Sequence, residues 1–128
     1  MATNQIIQSF IAGGTITEFQ IVSVNAQGKV EVSTNGTDKN CVGIAQRGAS
    51  AGDPVDVVVS GISRAIAGGA ITASTDPRLK ATTGGGKVET VAAGDFAVCR
   101  MIPNINQTSA VSGDQITVLF VGPTIVHA

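Results

Sequence analysis

Residues 42–71, VGIAQRGASAGDPVDVVVSGISRAIAGGAI, constrain the fold more than any other stretch of this chain. Val55, Val57 and Val59 alternate with Asp56, Val58 and Ser60. β-branched side chains at period two suit a pleated strand and crowd a helix, so the run reads as a strand, with Val57 pointing inward between Val55 and Val59. Ala51-Gly52-Asp53-Pro54 supplies the preceding turn, because glycine tolerates positive φ and proline presets φ while withholding a ladder donor. Gly61 then interrupts the alternation before Ile62, as glycine does at a bulge or sharp bend. The segment is strand, turn, strand, pivot and strand, with almost nothing in it that could do chemistry.

The same rhythm runs through the rest of the chain. Turn signals such as Asn25-Ala26-Gln27-Gly28, Asn35-Gly36, Asp76-Pro77, Ala93-Gly94-Asp95 and Ser112-Gly113-Asp114 separate short β-branched runs. That pattern is the mark of an all-β barrel or sandwich. Strands are expected over 5–11, 15–24, 29–33, 41–46, 55–60, 62–66, 79–82, 87–91, 96–102 and 115–121. Within 15–24 the apolar phase changes, from Phe19 and Ile21 to Val22 and Val24. One strand cannot hold both sets on one face, so a bulge near Ile21 or burial on both sides is required. Residues 13–17 (GGTIT) echo 68–72 (GGAIT), and Gly-Asp recurs at 52–53, 94–95 and 113–114. The unequal spacings argue against a solenoid, and the echoes read as shared turn chemistry.

At 128 residues the chain is expected to form one domain. It has four Phe and no Trp or Tyr, so its core must be built from small β-branched side chains. Eight Lys and Arg against nine Asp and Glu leave no electrostatic footprint for nucleic acid or an anionic membrane. The scarcity of aromatics also removes the stacking platforms that single-stranded nucleic acid needs. Charged residues are only 13% of the chain, about half the usual share. A surface so poor in charge suits a protein packed into an assembly, and equally a secreted β domain. No signal peptide or apolar membrane span is evident, so the sequons at Asn35 and Asn106 read as accidental.

The residues that could carry chemistry do not assemble into a site. Thr82-Thr83-Gly84-Gly85-Gly86-Lys87-Val88 invites a phosphate-loop reading, but Ala81 and Val88 stand where that motif needs glycine and Ser or Thr. A flexible hairpin tip is the expectation there. Cys41 and Cys99 lie in apolar runs and read as buried free thiols, with one bridge between them as the alternative. His127, the only histidine, lies one residue from the end of the sequence. One His and two Cys cannot build a standard zinc site, and Asp53, Asp95 and Asp114 are expected to bond turn backbone. No catalytic, metal or cofactor site and no small-molecule substrate is expected; the chain reads as a non-enzyme.

Residues 1–17 contain no charged side chain, yet Ile6, Ile7, Phe10 and Ile11 are strongly apolar. Residues 1–14 are therefore either a first strand or an arm that lies on a neighbouring subunit, with 15–128 as a single β domain. On the arm reading, these four residues are the candidates for subunit or capsid contact.

The order V-G-I-A, short polar loop, A-G-D-P-V-x-V, G-I and A-G-G-A-I-T resembles the small phage head-decoration, or capsid cement, proteins. The resemblance covers about residues 42–72. It implies a compact β-barrel or tulip-like fold, homotrimers on the outer surface of the head, and the major capsid protein as partner. It also implies synthesis in the host cytoplasm and a mechanical role, clamping neighbouring capsid subunits. Val42-Gly43-Ile44-Ala45 and Ala51-Gly52-Asp53-Pro54-Val55 would correspond to the family's hairpin. The chain departs from the pattern after Thr72, where Ala73-Ser74-Thr75-Asp76-Pro77-Arg78 intervenes. The rival expectations are another virion module, from tail or spike, and a small ligand-binding barrel.

Overall fold

The alternation around Val57 builds one long strand rather than two. In the computed structural model, Pro54–Ile66 is continuous, and Gly61 bends it at φ 109 without breaking it. The structure describes residues 5–33, 40–72, 74, 78–81, 85–91, 96–103 and 107–125, with backbone alone at 96 and 121–125. Asn35, Asp76, Pro77, Asp95, Asn106 and His127 lie outside these.

The described strands are β1 (Gln5–Ile11), β2 (Ile21–Val24), β3 (Val30–Val32), β4 (Cys41–Ala45), β5 (Pro54–Ile66) and β6 (Ile71–Thr72). They continue with β7 (Arg78–Ala81), β8 (Val88–Thr90), β9 (Phe96–Met101), β10 (Ser109–Ala110) and β11 (Gln115–Ile125). The fold is all-β, a small single domain around a curled half-barrel sheet. The main sheet runs β3-β2-β4-β5-β11-β9-β7-β8, with β1 also on β5, while β6 and β10 form a separate pair. The two-residue strands β6 and β10 are too short to leave a periodic signal.

Residues 15–24 do not form a single strand. Ile16 makes an isolated bridge to Ala49, Phe19 takes φ 66, and β2 starts at Ile21. Both remedies for the phase change are used. The β2–β4 register shifts between Val22 and Ser23, and Ile21 and Val22 are each fully buried, in different apolar clusters.

The sheet order is palindromic, and the backbone explains why. Ala12 N–H donates to Asp53 O and Gly52 N–H to Ala12 O, each at 2.8 Å; Ala67 does the same with Asp114 and Gly113, again at 2.8 Å. Gly13 N–H donates to Val30 O at 2.7 Å, and Gly68 N–H to Val88 O at 2.6 Å. The bridge Ile16–Ala49 is matched by the pair Ile71–Ala110. Residues 11–17 and 66–72 read IAGGTIT and IAGGAIT, and residues 28–32 and 86–90 read GKVEV and GKVET. The echoes in the sequence therefore report a repeated architecture, and shared turn chemistry is only part of it. One repeat is β1 to the first half of β5, and the other is the second half of β5 to β11.

Each repeat buries matched positions. Ala12, Val30, Val55 and Val57 lie in the smaller cluster, and Ala67, Val88, Ile116 and Val118 in the larger one. Ile21, Cys41 and Ile44 belong to the first repeat yet join the larger cluster, so the outer face of one repeat packs onto the core of the next. At matched core positions Phe10 fills the first repeat, whereas Ala65 leaves room in the second.

Gly86, in the connection between the paired strands β7 and β8, is a wedge, and residues 82–84 of the expected flexible tip lie outside the described residues. Gly86 N–H donates to Ser33 O, and Gly86 O accepts from Ile21 N–H, both at 2.9 Å. Its φ is +82, and an added Cβ would lie 2.7 Å from Gln20 Cβ. Gly85 has φ +88 with open space around it.

Two stability changes follow. Gly86→Ala should cost about 3 kcal/mol, from left-handed strain plus overpacking, and Gly85→Ala about 1 kcal/mol from strain alone. Equal losses in denaturant titrations would show that the wedge does not carry load. Val57→Asp buries an unpartnered carboxylate at a fully buried position, in contact with the first repeat's core. It should destabilise by about 3–5 kcal/mol, and an unchanged thermal melt would contradict the strand's face assignment.

Candidate functional site

β1 is an edge strand without charge. Gln5–Ile11 pairs antiparallel with the first half of β5, and among the described residues no other strand pairs with it. Its outer row of N–H and C=O groups is the sort of edge onto which another chain can add a strand. A register shift falls between Ile6 and Ile7, so two consecutive isoleucines turn outward. Ile6 is 63% exposed, Ile7 51% and Ile11 42%. Phe10 differs from them: it is half-buried and packs on the smaller cluster with Val55 and Val57. The sequence grouped the four as one apolar set, and the structure assigns one to the core and three to the surface.

The acidic turn residues hold backbone. Asp53 Oδ2 accepts from Ser50 N–H at 3.3 Å, and Asp114 Oδ2 accepts from Val111 N–H at 3.0 Å. With Gly52 at φ 91 and Gly113 at φ 96, these are the same turn built twice, each launching a long strand. Among the described residues no group of three His, Cys, Asp or Glu is placed to hold a metal.

Both cysteines are free and buried, as the apolar runs around them imply. Cys41 Sγ lies 3.2 Å from Ser33 Oγ. Burial, and secondarily the nearby Cys41, push the Cys99 thiol far above its ordinary value. A thiol so protected is a poor nucleophile, which fits a packing role.

One further feature leaves no local trace in the sequence. A cleft of about 340 Å³ opens where the two repeats meet, lined by Gln5, Phe19, Gln46, Ile62, Arg64 and Thr117. Gln46 Nε2 donates to Ser63 Oγ at 2.9 Å across it, and Gln5 Nε2 donates to Ile62 O at 2.8 Å. Phe19 is the one described non-glycine residue at positive φ, and it forms part of the cleft wall.

No known protein family and no curated protein matches this chain. Among solved structures, the fold is similar to the N base of the head fiber protein gp8.5 of bacteriophage phi29. The two share 12% sequence identity with a TM-score of 0.68, over 96% of this chain and 99% of that one.

The shifted thiol fixes a pH dependence. Cys99 has a folded value above its unfolded one, so its stabilising effect is complete below the unfolded value and is lost as pH rises past it, above about pH 9. The melting temperature should fall above that pH, and Cys99→Val should flatten the fall. Parallel profiles for the two proteins would refute burial of the thiol as the cause.

Proposed function

We propose that this chain is a structural, non-enzymatic virion protein that decorates the outer surface of a phage head and bridges neighbouring major capsid subunits. The observation that carries the reading is the near-complete fold match to the base of a phage head fiber. The uncharged β1 edge, with Ile6, Ile7 and Ile11 exposed on a chain with few charges, supports it.

The energetics suit such a role. An interface of ordinary size, about 1,600 Å² in all, repeated over a lattice, resists rupture without any strong single contact. Copies that hold one another weakly in solution can form trimers on a shell that supplies the effective concentration. A buried core of small residues and turns pinned by Asp53 and Asp114 makes a stiff unit for such a clamp.

The fold match also favours a second reading, in which the domain is the head-attachment base of a longer appendage. Electron microscopy of the source particle separates the two, since a base carries a projecting fibre and a cement does not.

The test uses emptied, expanded heads of the source phage. Adding the protein should raise their rupture temperature, and Ile6→Glu with Ile7→Glu should abolish binding while leaving the isolated domain's melt nearly unchanged, because both side chains are exposed. Undiminished binding by the double variant would place the contact elsewhere, and unchanged rupture temperature with bound protein would refute cementing.

A further inference from the structure

We infer that the cleft between the two repeats is a binding site for one neutral sugar ring of a glycan. It is lined by residues that the repeated architecture does not require. Gln46 N–H donates to Asp56 O at 2.9 Å and Ile102 N–H to Thr117 O at 2.8 Å, so Gln46 and Ile102 are matched positions. Two residues beyond IAGGTIT and IAGGAIT, Phe19 is matched by Ser74. The second repeat thus builds the same fold with an aliphatic and a hydroxyl where the first has an amide and an aromatic. Phe19 also takes φ 66, a strained conformation for a bulky residue, and such strain concentrates at ligand sites.

The amides are fixed in place by the protein itself. Gln46 Nε2 donates to Ile44 O at 3.0 Å and to Ser63 Oγ at 2.9 Å, and Gln5 Nε2 donates to Ile62 O at 2.8 Å. A backbone carbonyl only accepts, so each bond settles which end of the amide is its NH2 group. Each Oε1 is then an acceptor with no partner among the described residues. The Thr117 hydroxyl has none either, and Arg64 adds donors at the exposed rim. Gln5, Phe19 and Gln46 come from the first repeat, and Ile62, Arg64 and Thr117 from the second, so the site exists only where the two meet.

Two fixed acceptors suit a ligand that donates twice. A hydroxyl does so and still accepts from Arg64 or Thr117. A pyranose carries several hydroxyls around a ring whose C–H face is apolar, which matches Phe19 and Ile62 on the wall. The volume of about 340 Å³ is at the small end of the ~300–1,000 Å³ that ligand sites occupy, so the cleft takes one ring rather than a long chain. Among the described residues no carboxylate lines it, which leaves a cation without a counter-charge. Phe19 is the one aromatic on the wall, too little for stacked bases, and an extended peptide is better served by the free row of backbone groups along β1. None of this depends on attachment to a phage head.

The test is a heteronuclear NMR titration of the whole chain with the methyl glycosides of glucose, galactose, mannose and N-acetylglucosamine, and with N-acetyl-leucine amide as a peptide control. At least one glycoside should shift the amide signals of Phe19, Gln46, Ile62 and Thr117, with a Kd on the order of 1–10 mM. Thr117→Val keeps the side chain's shape and should weaken binding at least ~3-fold without moving the melt. Phe19→Gly should weaken it at least ~10-fold with a melt within ~5 °C of the parent, because glycine relieves the positive φ as the ring's burial is lost. No glycoside shifting these signals, undiminished binding by either variant, or control binding as tight in the cleft would each overturn the inference. So would a larger fall in the Phe19→Gly melt, which would make the ring a support of the core.

Discussion

The molecule depends on a single strand that belongs to two units. β5 pairs with β1 and β4 along its first half and with β11 along its second, and Gly61 at φ 109 makes the change of direction possible. A residue with a Cβ would pay strain at that φ, and a break in its place would cut the two repeats apart. Because the strand is continuous, the register of the first repeat sets that of the second. The palindromic sheet order follows from this.

The asymmetry between the repeats follows from the stacking. Only one outer face can be covered in an array of two, so the first repeat keeps Ile21 and Ile44 where the second has Arg78 and Arg100. The β1 edge also leaves an aliphatic surface open.

Much of the fold was legible because period-two alternation and turn chemistry are local. The bounds of β1 and the inward direction of Val57 were readable, and Asp53 and Asp114 bond turn backbone as Gly-Asp pairs in such positions should. What the sequence concealed is non-local. Nothing local distinguishes Gly86, a wedge between β2 and β3, from Gly85, which meets open space. IAGGTIT and IAGGAIT were visible as echoes, but only shared hydrogen-bond partners make them a repeat. Phe10 was grouped with Ile6, Ile7 and Ile11 because apolarity is readable and direction is not. Arg64, Arg78 and Arg100 are scattered along the chain, and only the sheet brings them to one face.

The account stands on the claim that this domain sits on a phage head with β1 turned toward the shell. A cryo-EM reconstruction of the source particle, at a resolution that traces strands, measures this directly. The account predicts density for the half-barrel on the outer surface, with Ile6 and Ile7 against a neighbouring subunit. Density confined to the tail, or a head-bound domain whose β1 edge faces open solvent, would contradict it.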